Sequence, residues 1–135
     1  MSAAGPCKLV RSLPLVWCSA PGWTPPPAGR PWPLIAIEEP CAIRGRALTA
    51  LAEHGIRARV VADAAYPAGV LNAARAGLGV TLLALAGPPP EGLTRRHDLP
   101  AVPPITLTAR SRRGADPHAT RVAVRELRTT LTVPN

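Results

Sequence analysis

Phenylalanine is absent from this 135-residue chain, and aromatic residues make up only 3% of it. A core must then be assembled from Leu, Val, Ile and Ala, which suits layered α/β packing. Cysteine is scarce as well. Cys7, Cys18 and Cys41 are odd in number, far apart and without a CxxC pair, so neither a disulfide framework nor a zinc site is signalled. Reduced thiols in a cytoplasmic protein are expected. Catalytic signatures are also lacking. There are four serines and no GxSxG motif, and His54, His97 and His118 are isolated. Glu38 and Glu39 are adjacent, so at a strand end their side chains diverge rather than pair for acid–base work. The expectation is a protein that is not an enzyme and carries no cofactor or metal.

No apolar run is long enough to span a bilayer. Lys8 and Arg11 precede Leu13-Pro14-Leu15-Val16-Trp17-Cys18 in the manner of a lipoprotein signal. The stretch is too short, however, it is broken by Pro14, and bulky Trp17 stands where a small residue is needed. Lysine is nearly missing too. Lys8 is the only one, so a net charge of +8 rests on arginine. Residues 1–94 carry eight basic and five acidic side chains, residues 95–135 eight and three. Clustered cations can bind phosphates, but a solvated basic face, or the Arg and Ala bias of a GC-rich coding sequence, explains the excess more simply.

What is present is a hydrophobic content of 47%, punctuated by 18 prolines and 11 glycines. That describes one globular domain with several Pro-rich loops. Residues 1–12 read as a tail or linker remnant. Leu13–Ser19 is a compact apolar run, expected as a buried strand, and 33–37 is a second. From Cys41 to His54 the spacing turns helical, with Ile43, Ala47, Leu48 and Leu51 on one face and Gly55 as the stop. Residues 56–62 read as a strand. Tyr66-Pro67 opens a second helix with Val70, Leu71, Ala74 and Leu78 on its stripe, ended by Gly77 or Gly79, and a strand follows over 79–85. A short segment around Leu93 leads to an alternating strand over 105–109. Asp116 and Pro117 give the last helix its N-cap and first position. Strands alternating with helices predict an α/β fold with a largely parallel sheet.

Three phrases in this order resemble the effector-binding region of LysR-type transcriptional regulators. They are Pro14-Leu15-Val16-Trp17-Cys18-Ser19-Ala20-Pro21-Gly22, then Pro33-Leu34-Ile35-Ala36-Ile37 leading to Pro40-Cys41 and Arg44, and then residues 68–83 with their Gly77-Leu78-Gly79 break. The resemblance implies a type 2 periplasmic-binding-protein-like fold, in which two α/β lobes joined by crossover strands hold a small effector between them. Residues 13–103 would form most of the second lobe. Residues 104–135 would be a crossover strand and a C-terminal helix returning to the first lobe. The family's DNA-binding helix-turn-helix has no counterpart in the sequence, so no direct DNA binding by this chain is expected. The function implied is effector sensing that modulates transcription. The alternatives are a truncated interaction module pairing with full-length regulators, or a non-functional fragment from a mis-assigned start. A homo-oligomer, or pairing with a full-length regulator, is expected; membrane association is not.

By the same resemblance, Glu39, Pro40, Cys41 and Ala42 contact the effector where a strand hands over to a helix, and Tyr66 and Pro67 join them from the next helix entrance. Unpaired N–H groups at helix starts attract anions and carboxylates. An ordinary strand-to-helix turn is the plain alternative. Arg44 either adds charge for an anionic effector or points to water. Cys41 lies in the neighbourhood of the reactive cysteine of peroxide-sensing members, but it lacks a nearby resolving thiol. Gly77-Leu78-Gly79 lies at a helix-to-strand turn and lacks a third glycine, so it is a helix stop and not a dinucleotide loop.

Overall fold

In the computed structural model the described backbone runs from residue 7 to residue 110, with side chains described for 11–106. The elements are β1 (Cys7–Ser19), β2 (Trp32–Ile37), α1 (Ala42–Glu53), β3 (Ala58–Ala64), α2 (Pro67–Arg75), β4 (Thr81–Ala84), β5 (Thr94–Arg95) and β6 (Val102–Arg110). β1 starts at Cys7, six residues earlier than its apolar run suggests, because β6 supplies hydrogen-bonding partners along that stretch. The helix expected from Asp116 lies outside the described residues.

β2 is the hub of the parallel part. β3 pairs with it in parallel on one side. On the other side the chain entering β4 bridges it, with Ile35 N–H donating to the Val80 carbonyl at 2.8 Å and Val80 N–H to the Pro33 carbonyl at 3.0 Å. The chain thus steps from β2 to one neighbour and then back to the other. Crossovers of one hand put the two connecting helices on opposite faces under such a reversal. The packing agrees. Ala47, Ala50 and Leu51 of α1 share a buried cluster with Leu34, Val80, Leu82, Leu15 and Trp17. Val70 and Ala74 of α2 share another with Ile35, Cys18 and Leu93.

The expectation of a largely parallel sheet needs correcting. β1 is antiparallel to β4 on one edge and to β6 and β5 on the other. No helix follows β1 or separates β4, β5 and β6 in sequence, so these strands need no crossover and are free to run against one another. The second half of β1 is nonetheless buried, with Leu13, Leu15, Trp17, Cys18 and Ser19 all enclosed. Trp17 is 3% exposed, with its indole N–H donating to the Pro100 carbonyl at 2.8 Å.

Both helices end by the same device. After α1, Gly55 (φ 68°) donates to the Ala52 carbonyl and Ile56 to Leu51; after α2, Gly77 (φ 81°) donates to Ala74 and Leu78 to Ala73. These paired bonds form Schellman stops, which require a left-handed residue. The turn at Gly77 takes Leu78 off the apolar stripe of α2, and it is exposed. β3 pairs with β2 alone among the described strands and forms one edge of the sheet. Val61 is an extra residue there, since Leu34 pairs with Val60 and Ile35 with Ala62. Such a bulge makes an edge a poorer template for adventitious pairing.

Candidate functional site

The carboxyl ends of β2 and β4 meet the starts of α1 and α2 at one end of the sheet, and a cavity of about 220 Å³ lies there. Its walls are Leu34–Ile37 of β2, Thr81–Ala84 of β4, Ile43 and Ala47 of α1, and Pro67 and Val70 of α2, with Cys41 and Arg44 beside them. This is where open α/β sheets bind ligands. Helices diverging to opposite faces leave a crevice beyond the strand ends.

Of the residues expected to contact an effector, Cys41, Arg44 and Pro67 line this cavity. Glu39 reaches its rim through an ion pair with Arg44, Oε1 to guanidinium at 3.5 Å. Pro40, Ala42 and Tyr66 are exposed and do not line it, Tyr66 standing 75% exposed at the N-cap of α2. The Glu39–Pro40 peptide is cis. Neither Cys41 nor Tyr66 caps its helix through a side chain, and the first turns of both helices lack acidic residues. The first-turn N–H groups of α1 are therefore open to an acceptor, whereas at α2 Pro67 has no N–H and Gly69 N–H donates to the Tyr66 carbonyl at 3.1 Å, which leaves that of Ala68.

Arg44 does not point to water. Its side chain is 13% exposed and folds back beneath the loop, donating to the Ile37 carbonyl at 3.3 Å and lying 3.7 Å from the Asp63 carboxylate. It thereby ties the end of β2 to the end of β3. Its Nε is buried without a hydrogen-bond partner among the described residues. Asp63 was not foreseen as a site residue, nor were the aliphatic walls Ile35, Ile37, Ile43, Val70 and Leu83. In sequence the walls cannot be told from core positions of strands and helices. The available signal was positional: they sit at the last residues of strands and the first turns of helices.

Cys18 is fully buried on β1, and burial pushes its thiol up to about 11 against a small opposing effect of Arg95. That thiol is a poor nucleophile at neutral pH and a poor resolving partner for Cys41. No group of three or more His, Cys, Asp or Glu side chains able to hold a metal occurs among the described residues. No described helix is long and apolar enough to cross a membrane.

A second polar cluster lies away from this cavity. Arg96 grips both carboxylate oxygens of Asp98 at 3.0 and 2.6 Å, donates to Ser19 Oγ at 3.0 Å and the Trp23 carbonyl at 3.1 Å, and sits 4.9 Å from the Trp23 ring centroid. Four of its five N–H groups are engaged within the fold. The cluster pins the loop after β1 to the segment after β5.

Comparison with known proteins places this geometry in a family. The model of the LysR substrate binding domain matches residues 6–132. Among solved structures, the regulatory domain of HypT from Salmonella typhimurium superposes with a TM-score of 0.71 at 13% identity, over 97% of this chain and 68% of that one. The CcmR regulatory domain from Synechocystis PCC6803, in complex with 2-PG, gives a TM-score of 0.60 at 14% identity, covering 96% and 69%. HinK, a LysR family transcriptional regulator from Pseudomonas aeruginosa, gives 0.63 at 16% identity, covering 97% of this chain and 49% of HinK. The chain thus spans about half of a regulator such as HinK and about two thirds of an isolated regulatory domain. No curated protein matches it in sequence. At these identities the structures speak to the α/β fold, while the family model covers nearly the whole sequence: the chain belongs to the LysR substrate-binding domain family, a regulatory module of transcription factors and not an enzyme.

Proposed function

We propose that this chain is the effector-sensing portion of a LysR-type regulator, and that its small-molecule effector sits against the cavity between the starts of α1 and α2. The cavity carries the reading, because it lies at the strand ends where a sheet of this topology presents a crevice. Residues 13–103 correspond to the second lobe in this proposal, with β1 and β6 continuing as crossover strands toward the first. The effector closes the cleft between lobes, and its higher affinity for the closed form shifts the population that a DNA-bound oligomer adopts. The CcmR regulatory domain was solved with 2-PG, which supports a small-molecule role of this kind without identifying the effector here. The working form is a cytoplasmic homo-oligomer or a pairing with a full-length regulator.

The test is a thermal-shift screen of small metabolites against the full chain, followed by the same ligands on a Val70→Trp variant that fills the cavity. A ligand that stabilises the chain and loses its effect in the variant supports the proposal. Ligands that stabilise both proteins equally would place binding elsewhere and sink it. Mixed with operator DNA, the chain alone should give no sequence-specific footprint; any retention should be independent of sequence and fall steeply with salt.

A further inference from the structure

Two features of the cavity pull in opposite directions. Two uncapped helix N-termini and one guanidinium adjoin it, which is the usual recipe for an anion site. Yet Arg44 is already shared between Glu39 at 3.5 Å and Asp63 at 3.7 Å. Each helix start is equivalent to roughly half a positive charge. Added to one guanidinium and two carboxylates, the local total comes to roughly zero. Exposed Glu38, next to Glu39, shifts the rim further toward negative. The walls are aliphatic apart from Thr81, the sulfur of Cys41 and the buried stem of Arg44.

We infer that the cavity takes an uncharged, largely apolar small molecule, or the apolar end of one, with at most a neutral acceptor such as a hydroxyl or carbonyl meeting the helix N–H groups. An anionic group there gains little, because the field that would hold it is cancelled by Glu39 and Asp63, and it loses its hydration against hydrocarbon walls. Size supports the same class. A volume of about 220 Å³ corresponds to roughly seven water volumes, enough for a single ring or a short branched chain. This inference rests on the proposal that the cavity is the effector site, and it names what that site selects.

The experiment uses the full chain with labelled Ile, Leu and Val methyl groups, titrated separately with benzyl alcohol, benzoate and inorganic phosphate. Benzyl alcohol should shift the methyl signals of Ile43, Val70 and Leu83 and bind about tenfold more tightly than benzoate, with phosphate silent at these positions. Glu39→Gln, which removes one exposed negative charge from the rim, should narrow the gap to benzoate about threefold or more. Benzoate or phosphate binding at the same methyls as tightly as benzyl alcohol would overturn the inference and leave the cavity standing as an anion-accepting effector site. An unchanged gap in Glu39→Gln would overturn the charge-balance argument. If none of the three probes moves those methyls, the inference fails together with the effector-site reading on which it rests.

Discussion

Two glycines show how little a residue's identity says until its surroundings are known. A Cβ placed on Gly79 would strike the Pro33 carbonyl oxygen and lie 2.9 Å from its carbonyl carbon, at the point where the β4 approach bridges β2. A Cβ on Gly45, in the exposed face of α1, meets nothing within 4 Å. Gly79→Ala should therefore cost about 1–3 kcal/mol through forced separation of two backbones. Gly45→Ala should instead stabilise by about 0.5–1 kcal/mol, because alanine loses less freedom in a helix. Urea unfolding of the two variants beside the parent checks both signs at once. Arg96 supplies a second case. Its hydrogen bonds, and then its charge, hold the Asp98 carboxyl below the ordinary carboxylate range, with partial burial opposing. The stabilisation is then complete above the unfolded carboxyl pKa and is lost as pH falls through the lower folded value. Asp98 is 42% exposed along its side chain, so solvent screening limits the gain to about 1 kcal/mol or less. Asp98→Asn should flatten stability between pH 5 and the acid limb at roughly that size, measured by urea midpoints against pH.

At the scale of elements, what could be read from sequence was what local chemistry decides. The stop of α1 at Gly55 follows from the need for a left-handed residue, and Gly77 does the same for α2. Replacing either with Ala should cost about 1 kcal/mol, visible as a lowered midpoint with an unchanged denaturant slope. The apolar stripe of α1 was legible for the same reason, since Ala47 and Leu51 fall one turn apart and both are buried. Pairing was not legible. Whether β1 runs parallel or antiparallel to β4 depends on residues 63 to 69 positions away, as Cys18 with Thr81 or Leu15 with Ala84, and nothing local encodes it. The same holds for the site. Cys41, Arg44 and Pro67, expected near a ligand because they stand at helix starts, do line the cavity. Asp63 was missed because its role exists only once β3 lies beside β2 and Arg44 folds back across both. Arg44 itself was left open between ligand and solvent; its side chain is 13% exposed and turns to Glu39 and Asp63 rather than to water.

At the scale of the whole molecule, the two halves of β1 live in different environments. Around Leu15 to Cys18 the strand is flanked on both edges, Leu15 by Ala84 and Val102, and Cys18 by Thr81 and Arg95. From Cys7 to Ser12 the strand partner among the described residues is β6 alone, through a ladder broken by an irregularity between Leu9 and Arg11, while Leu13 is already buried. A ribbon of two strands is marginal in water without further covering. The body should therefore hold its hydrogen bonds until global unfolding, while the ribbon opens on its own at much lower free energy. Native-state hydrogen exchange on the full chain reads this directly. The β1 amides bonded to β6 within residues 8–12 should exchange about a hundredfold or more faster than those of Val16 to Cys18. Equal protection along β1 would mean that the ribbon is covered in solution. Repeating the measurement at a tenfold lower protein concentration would then decide by what: protection that falls on dilution points to a second copy of the chain, and protection that persists points to the chain itself.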